Sequence, residues 1–187
     1  ARLGMEGKDY IWGYAAATPD EAALLRKKGI RKPILVLGCT FPEQRDDMIM
    51  QEIRMTCYTR EMAKDVSERA QRLGKTAYIH VKLDTGMSRL GFLINEANAD
   101  TIAQITRLPG VEAEGMFTHF SKADETDKSF TRGQMEKYLW MRSRLADRGV
   151  TFRFCHCSNS AGIIDMPEAA MDLVRAGIAM YGLSPSG

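Results

Sequence analysis

Short apolar runs alternate with amphipathic segments along the whole chain, with no linker or low-complexity break between them. The runs Tyr10 to Ala16, Pro33 to Gly38, Met55 to Tyr58, Ala77 to Leu83, Gly115 to His119, Phe152 to His156 and Leu173 to Ala179 are of strand length and predict seven strands. Between the first two, Thr18-Pro19-Asp20-Glu21 is a capping box with proline at the first helical position; Leu24 and Leu25 supply a buried face, and Gly29 closes the helix. Thr59 to Gly74 repeats this design, with Glu61 in the first turn, Met62, Val66 and Leu73 along one side and Arg72 near the end. Further helices are predicted from Glu96 to Thr106, before Pro109-Gly110, and from Asp127 to Arg148, before Gly149.

Strands alternating with helices call for parallel βαβ units, either closed as a barrel or left open as a doubly wound sheet. An open sheet that binds nucleotides carries a GxGxxG or GxxxxGK[ST] turn after its first strand, and this chain has neither there. The expected fold is therefore α/β, of the (β/α)8 TIM-barrel type. Eight such units need about 250 residues, and the chain has 187. It opens at Ala1-Arg2-Leu3-Gly4 in what reads as the tail of a helix, so one strand and its helix are expected to be missing. A barrel short of one strand exposes two sheet edges, and marginal stability is the expected consequence.

Composition narrows the function classes. The net charge of +2 is interspersed along the chain without the basic stripe that nucleic acid requires. No run of 18 apolar residues and no signal peptide is present, which predicts no membrane span within this segment. The cysteines Cys39, Cys57, Cys155 and Cys157 lie mostly in apolar, strand-like runs, as buried thiols of a cytoplasmic protein do. Cys155-His156-Cys157 invites a metal reading, but alternation along a strand turns His156 away from both sulfurs, so no metal site is expected.

The candidate chemistry gathers at the C-terminal ends of the strands. In His80 to Gly91, HVKLDTGMSRLG, period-2 spacing puts Tyr78, His80, Lys82 and Asp84 on one face, and a sharp turn then delivers Arg89. That is the end at which α/β barrels build active sites. His119 stands at the tip of Gly115 to His119, before Lys122-Ala123-Asp124-Glu125. In Phe154 to Gly162 a strand passes into Ser158-Asn159-Ser160, small polar groups suited to ringing an anion. Arg175 is expected inside the final strand, where a buried guanidinium needs either an ion-pair partner or a ligand, and Gly177 would allow close backbone approach to that ligand.

HVKLDTGMSRLG, THFSKADE from Thr118, CHCSNSAG from Cys155 and VRAGIAMYGLSPSG from Val174, in that order, resemble the successive motifs of the bacterial alanine racemases. The segment GYAAATPDEAALLRKKGIRKPILVLG resembles that family's second and third barrel repeats, so the likeness covers nearly the whole chain. The resemblance implies a fold-type III pyridoxal 5'-phosphate (PLP) enzyme with an N-terminal barrel, a C-terminal β-rich domain and a homodimer. Residues 1–187 would then be a partial N-terminal PLP-binding barrel domain. The activity implied is interconversion of L- and D-alanine, which supplies D-alanine for the cell wall. Lys82 matches a strand lysine that is often carbamylated, and Arg89 an arginine that contacts the cofactor's phenolic oxygen and orients the catalytic tyrosine. His119 matches the histidine stacked on the pyridine ring, Arg175 the arginine facing the ring nitrogen, and His156 the histidine bonded to that arginine. Asn159, Ser160, Gly177 and Ile178 match the phosphate-binding positions.

Two departures from the family pattern matter. No lysine-alanine-tyrosine-glycine-histidine type segment, which would carry the family's cofactor-linking lysine, occurs in the sequence. The chain also ends at Ser184-Pro185-Ser186-Gly187, where the resemblance places the start of the domain that supplies the tyrosine. The 187 residues alone are therefore expected to be inactive. The alternative readings are a racemase acting on serine as well as alanine, whose relatives carry an upstream membrane domain, and a non-catalytic barrel that binds phosphate or PLP.

Overall fold

The computed structural model describes residues 5–185; the expected helix tail at residues 1–4 and the last two residues of the C-terminal motif lie outside it. The strands are β1 (Tyr14–Ala16), β2 (Ile34–Val36), β3 (Arg54–Cys57), β4 (Ala77–Asp84), β5 (Phe92–Leu93), β6 (Val111–Phe117) and β7 (Phe154–His156). They form one sheet in the order β1-β2-β3-β4-β6-β7, with every pairing parallel and β5 joined to the end of β4. Helices α1 (Pro19–Lys27), α2 (Pro42–Met50), α3 (Arg60–Leu73), α4 (Glu96–Ile105) and α5 (Ser129–Ala146) lie between the strands, and α6 (Ser160–Asp165) follows β7.

Local chemistry accounts for these boundaries. Thr18 Oγ1 accepts from the Glu21 amide at 3.3 Å, and Glu21 reaches back to the Ala17 amide at 2.8 Å. Thr59 Oγ1 likewise accepts from the Met62 amide at 3.1 Å, and Gly74 ends α3 at φ 62°. Helix α2 carries only part of this signature: Pro42 opens it and Gln44 Oε1 accepts from the Phe41 amide at 3.2 Å, but Phe41 has no side-chain oxygen to cap it. Its buried face is Arg45, Met48 and Ile49, and Arg45 is satisfied only by Thr40 O on the preceding loop and by Asp65 on α3.

The sheet has two unlike faces. Ile79, Val81 and Leu83 of β4 pack outward in a core shared with Ala63 and Val66 of α3 and Ile102 of α4. The alternate residues of β4 turn inward. The sheet curls around them: Trp12, just ahead of β1, lies 5.1 Å from the Phe154 ring of β7 and 5.6 Å from His80 in the middle of the sheet. This is an α/β partial barrel of the TIM type.

One predicted strand does not form. Asp172 and Leu173 donate to Cys155 O and Arg175 donates to Ser158 O, so the segment does run along the edge of β7. The Cys155 amide, however, donates to the Asp172 carboxylate at 2.8 Å instead of to a backbone carbonyl, and no ladder develops. The chain then enters a 3-10 turn at Ile178–Tyr181. Arg175 therefore sits on an irregular segment rather than inside a strand. His119 lies two residues beyond the end of β6, which begins at Val111, four residues earlier than the apolar run suggests.

Candidate active site

The inner face of β4 ends in Lys82 and Asp84. Asp84 Oδ1 accepts from the amides of Gly86 and Met87 at 2.9 Å and of Ser88 at 3.1 Å. Burial would raise the Asp84 pKa, but these three bonds outweigh it and hold the carboxylate below its usual range. Asp84 thereby shapes the turn that presents Arg89, which is exposed. Lys82 is 3% exposed, and its ammonium donates only to Leu83 O, at 2.9 Å. Burial, followed by the charges of Arg175 and Arg89, lowers its pKa to about 7, so a large share of this amine is neutral at physiological pH.

Phe117, at the end of β6, links Lys82 to the other basic residues. Lys82 Nζ lies 5.2 Å and Arg175 Cζ 5.3 Å from its ring centroid, and the His156 ring stacks on it at 4.8 Å. Arg175 NH2 donates to Thr118 O at 2.8 Å and to Cys157 O at 2.9 Å, and NH1 donates to His156 Nδ1 at 2.6 Å. Its Nε–H is buried and has no partner among the described residues. Burial lowers the guanidinium to about 10, which leaves it charged at neutral pH. His119 is driven to about 4 by burial and by the charges of Arg175, Lys82 and Arg89, and it is therefore a neutral ring.

His119 is held from behind by Gln134 of α5. The Gln134 amide donates to His119 O and to Thr85 Oγ1, both at 3.2 Å, and its oxygen accepts from the Ser121 amide at 3.0 Å. On the other side of the site, Ser160 Oγ accepts from the Gly177 amide at 3.0 Å and the Ala179 amide at 3.2 Å, drawing the 3-10 turn onto α6. Asn159 caps α6 through Oδ1 to the Gly162 amide and donates through Nδ2 to Phe120 O, so both ends of its side chain are occupied. His119, His156, Asn159, Ser160, Arg175 and Gly177 share a cleft of about 1000 Å³ with Trp12 and Tyr14; Ile178 also lines it. Neither Lys82 nor Arg89 lines this cleft: Lys82 is tied to it through the Phe117 ring it shares with Arg175, and the charge of Arg89 acts on Lys82 and His119.

Residues 5–185 match the sequence family described as alanine racemase, N-terminal domain. The chain belongs to the alanine racemase N-terminal domain family. It is 44% identical over 172 residues to an alanine racemase of Clostridium tetani, which covers 92% of the chain and 44% of the relative, and 42% identical to that of Desulforamulus reducens, covering 92% and 46%. Among solved structures, alanine racemase of Clostridium difficile 630 superimposes with a TM-score of 0.90 at 43% identity, covering 93% of the chain and 46% of that protein. The alanine racemase of Bacillus anthracis gives 0.85 at 34% identity, covering 92% and 44%. The chain spans less than half the length of these relatives.

Against this alanine racemase barrel, the geometry fits a phosphorylated pyridine. Arg175, with a buried Nε–H that has no partner among the described residues, the neutral imidazole of His119 and the turn at Gly177 drawn onto Ser160 all border one cleft. Gly177 is not needed to avoid other protein atoms, since a Cβ there would come no closer than 3.8 Å, to Ser160 Oγ. Among the described residues no group of three His, Cys, Asp or Glu could hold a metal. Sequence reasoning passed over Gln134, Glu114 and Arg54 as site residues, and gave His80 no role beyond the polar row. The clue was that row of alternating polar residues on β4, which needs partners on neighbouring strands once buried.

Proposed function

We propose that this chain is the PLP-binding barrel of an alanine racemase that interconverts L- and D-alanine in the cytoplasm as a homodimer. The observation that carries the reading is Arg175, a residue of the cleft lining whose NH1 and NH2 are tied to the protein while its buried Nε–H has no partner among the described residues. An aromatic nitrogen is the acceptor such a donor suits. When bound, PLP withdraws electrons from the α-carbon of an attached amino acid and so acidifies its proton.

The chain's own residues bind, orient and tune. Arg175 keeps its charge at neutral pH and donates without giving up a proton, so it would leave a ring nitrogen bound there unprotonated, which would moderate the electron withdrawal and favour simple proton exchange over other carbanion chemistry. His119 offers a neutral face for stacking on the ring. The phosphate would be received by Ser160, Asn159 and the Ile178 amide, and by the Gly177 amide once it is released from Ser160 Oγ, to which it donates at 3.0 Å. Arg89, whose charge acts on Lys82 and His119, would contact the phenolic oxygen and orient a catalytic tyrosine. Lys82, partly neutral and next to two arginines, is suited to carrying a carbamate whose negative charge would relieve that crowding. No helix among the described residues is long and apolar enough to cross a membrane, and the four free cysteines agree with a reducing compartment. A histidine racemase from Leuconostoc mesenteroides shares the architecture at a TM-score of 0.85 and 28% identity; alanine is preferred here because the identities of 42–45% lie with alanine racemases.

Trp12 lines the cleft, whereas Trp140 lies on α5. Titration with PLP is therefore expected to quench Trp12 fluorescence saturably, with pyridoxal lacking the phosphate binding more weakly. Arg175→Ala is expected to weaken PLP at least tenfold. Equal affinity for PLP and pyridoxal, or no saturable quenching, would overturn the reading.

A further inference from the structure

We propose that Glu114 and His80 are positioning residues for Arg175, acting through His156 in a directional hydrogen-bond chain that crosses the barrel interior. The links are Arg54 Nε to Glu114 Oε1 at 2.7 Å, His80 Nε2 to the same oxygen at 3.3 Å, His156 Nε2 to His80 Nδ1 at 2.9 Å, and Arg175 NH1 to His156 Nδ1 at 2.6 Å. The chemistry of the two ends sets the direction of every link. Both arginines have donors only, and an ionised carboxylate has acceptors only.

Glu114 remains ionised: burial would raise its pKa, but the bonds from His80 and Arg54 outweigh that. His80 must then carry its proton on Nε2. Burial keeps both histidines neutral, against the pull of Glu114 on His80. The bare His80 Nδ1 therefore accepts from His156 Nε2–H, which leaves His156 Nδ1 bare to accept from Arg175. A neutral imidazole in the other tautomer would put two N–H groups face to face. The carboxylate makes each successive ring a better acceptor, so its effect reaches a guanidinium with which it has no contact.

The surrounding packing is built to hold this line. A Cβ at Gly115 would collide with the His80 imidazole, so the ring takes up space that only glycine leaves free. The pairing of β4 with β6 slips at Ile79/His80, opposite this same glycine. Phe117 stacks on His156 within 6° of parallel, and Trp12 packs on His80. With NH1 bonded to His156 and NH2 to two carbonyls, the guanidinium is fixed in one orientation at the cleft, and its buried Nε–H has no partner among the described residues. The consequence for ring binding rests on the PLP reading, but the chain itself does not.

The chain has three histidines, so nitrogen-15 labelling of histidine gives a readable spectrum of the protein without cofactor. Both His80 and His156 are expected as Nε2–H tautomers. Glu114→Gln weakens the terminal acceptor, and the His156 Nε2–H proton, one link removed from the change, is expected to move upfield. Arg54→Gln leaves the carboxylate to His80 alone, and the same proton is expected to move downfield. Merely structural roles would not give opposite shifts in two variants with unchanged circular dichroism. An Nδ1–H tautomer at either histidine, a stationary His156 signal, or shifts of the same sign would overturn the proposal. If Glu114→Gln does not fold, Arg54→Gln decides alone, with a downfield shift supporting the chain and any other result overturning it. Normal PLP binding alongside a silent His156 would sink the chain and leave the functional reading intact, and failed PLP binding with the predicted shifts would do the reverse.

Discussion

The two faces of β4 differ in kind, although they are made by alternate residues of one eight-residue strand. Outward, Ile79, Val81 and Leu83 are fully buried among aliphatic neighbours and stabilise the layer between sheet and helices. Inward, His80 and Lys82 are buried just as deeply, at 0% and 3% exposure, yet the interior they enter is polar and partly charged. Burial alone therefore does not separate a packing residue from a functional one. What separates them is whether burial lowers the free energy or raises it in exchange for a placed donor.

The largest test of this contrast lies on the outward face. Leu83→Ala is expected to cost about 3 kcal/mol, read as a lower urea midpoint, because the helix layer cannot close over the lost volume. On the inward face, the neighbouring Lys82→Met is expected to act with the opposite sign and raise stability at pH 7 by about 2 kcal/mol in CO2-free buffer, since it removes a poorly solvated amine. The pH dependence sharpens the point. The folded pKa of Lys82 is about 7, below its ordinary value of 10.5, so between these values the unfolded chain holds a proton that the native chain has released. Stability of the parent chain should rise with pH across that window, and the advantage of Lys82→Met should be widest at pH 7 and below and close toward the upper limit. An advantage independent of pH would mean that the amine is already solvated. The smallest effect belongs to neither face: Thr59→Ala should cost about 1 kcal/mol by removing the α3 cap, with no change at the cleft.

The helices were legible where their ends carry chemistry. Thr18, Thr59 and Gly74 act locally, within one turn, so their effect shows in sequence as it does in space. Helix α2 was not legible, because its buried face includes Arg45, whose partner Asp65 lies 20 residues away on another helix. The predicted strand around Arg175 went wrong for a related reason: a carboxylate at Asp172 took the amide that a ladder would have used. The polar row on β4 was visible from alternation alone. Its partners were not, since Glu114 and His156 come from strands 34 and 76 residues distant from His80.

Local periodicity and capping determined by themselves that this chain alternates strands with helices, and the ordered motifs determined its family. Which buried polar atom would be left with a free donor was decided only in three dimensions. A hydrogen bond between strands depends on register and curl, and in this barrel those arise from the slip at Ile79/His80, the space at Gly115 and the closure of Trp12 onto Phe154, none of which is a property of any contiguous stretch of residues.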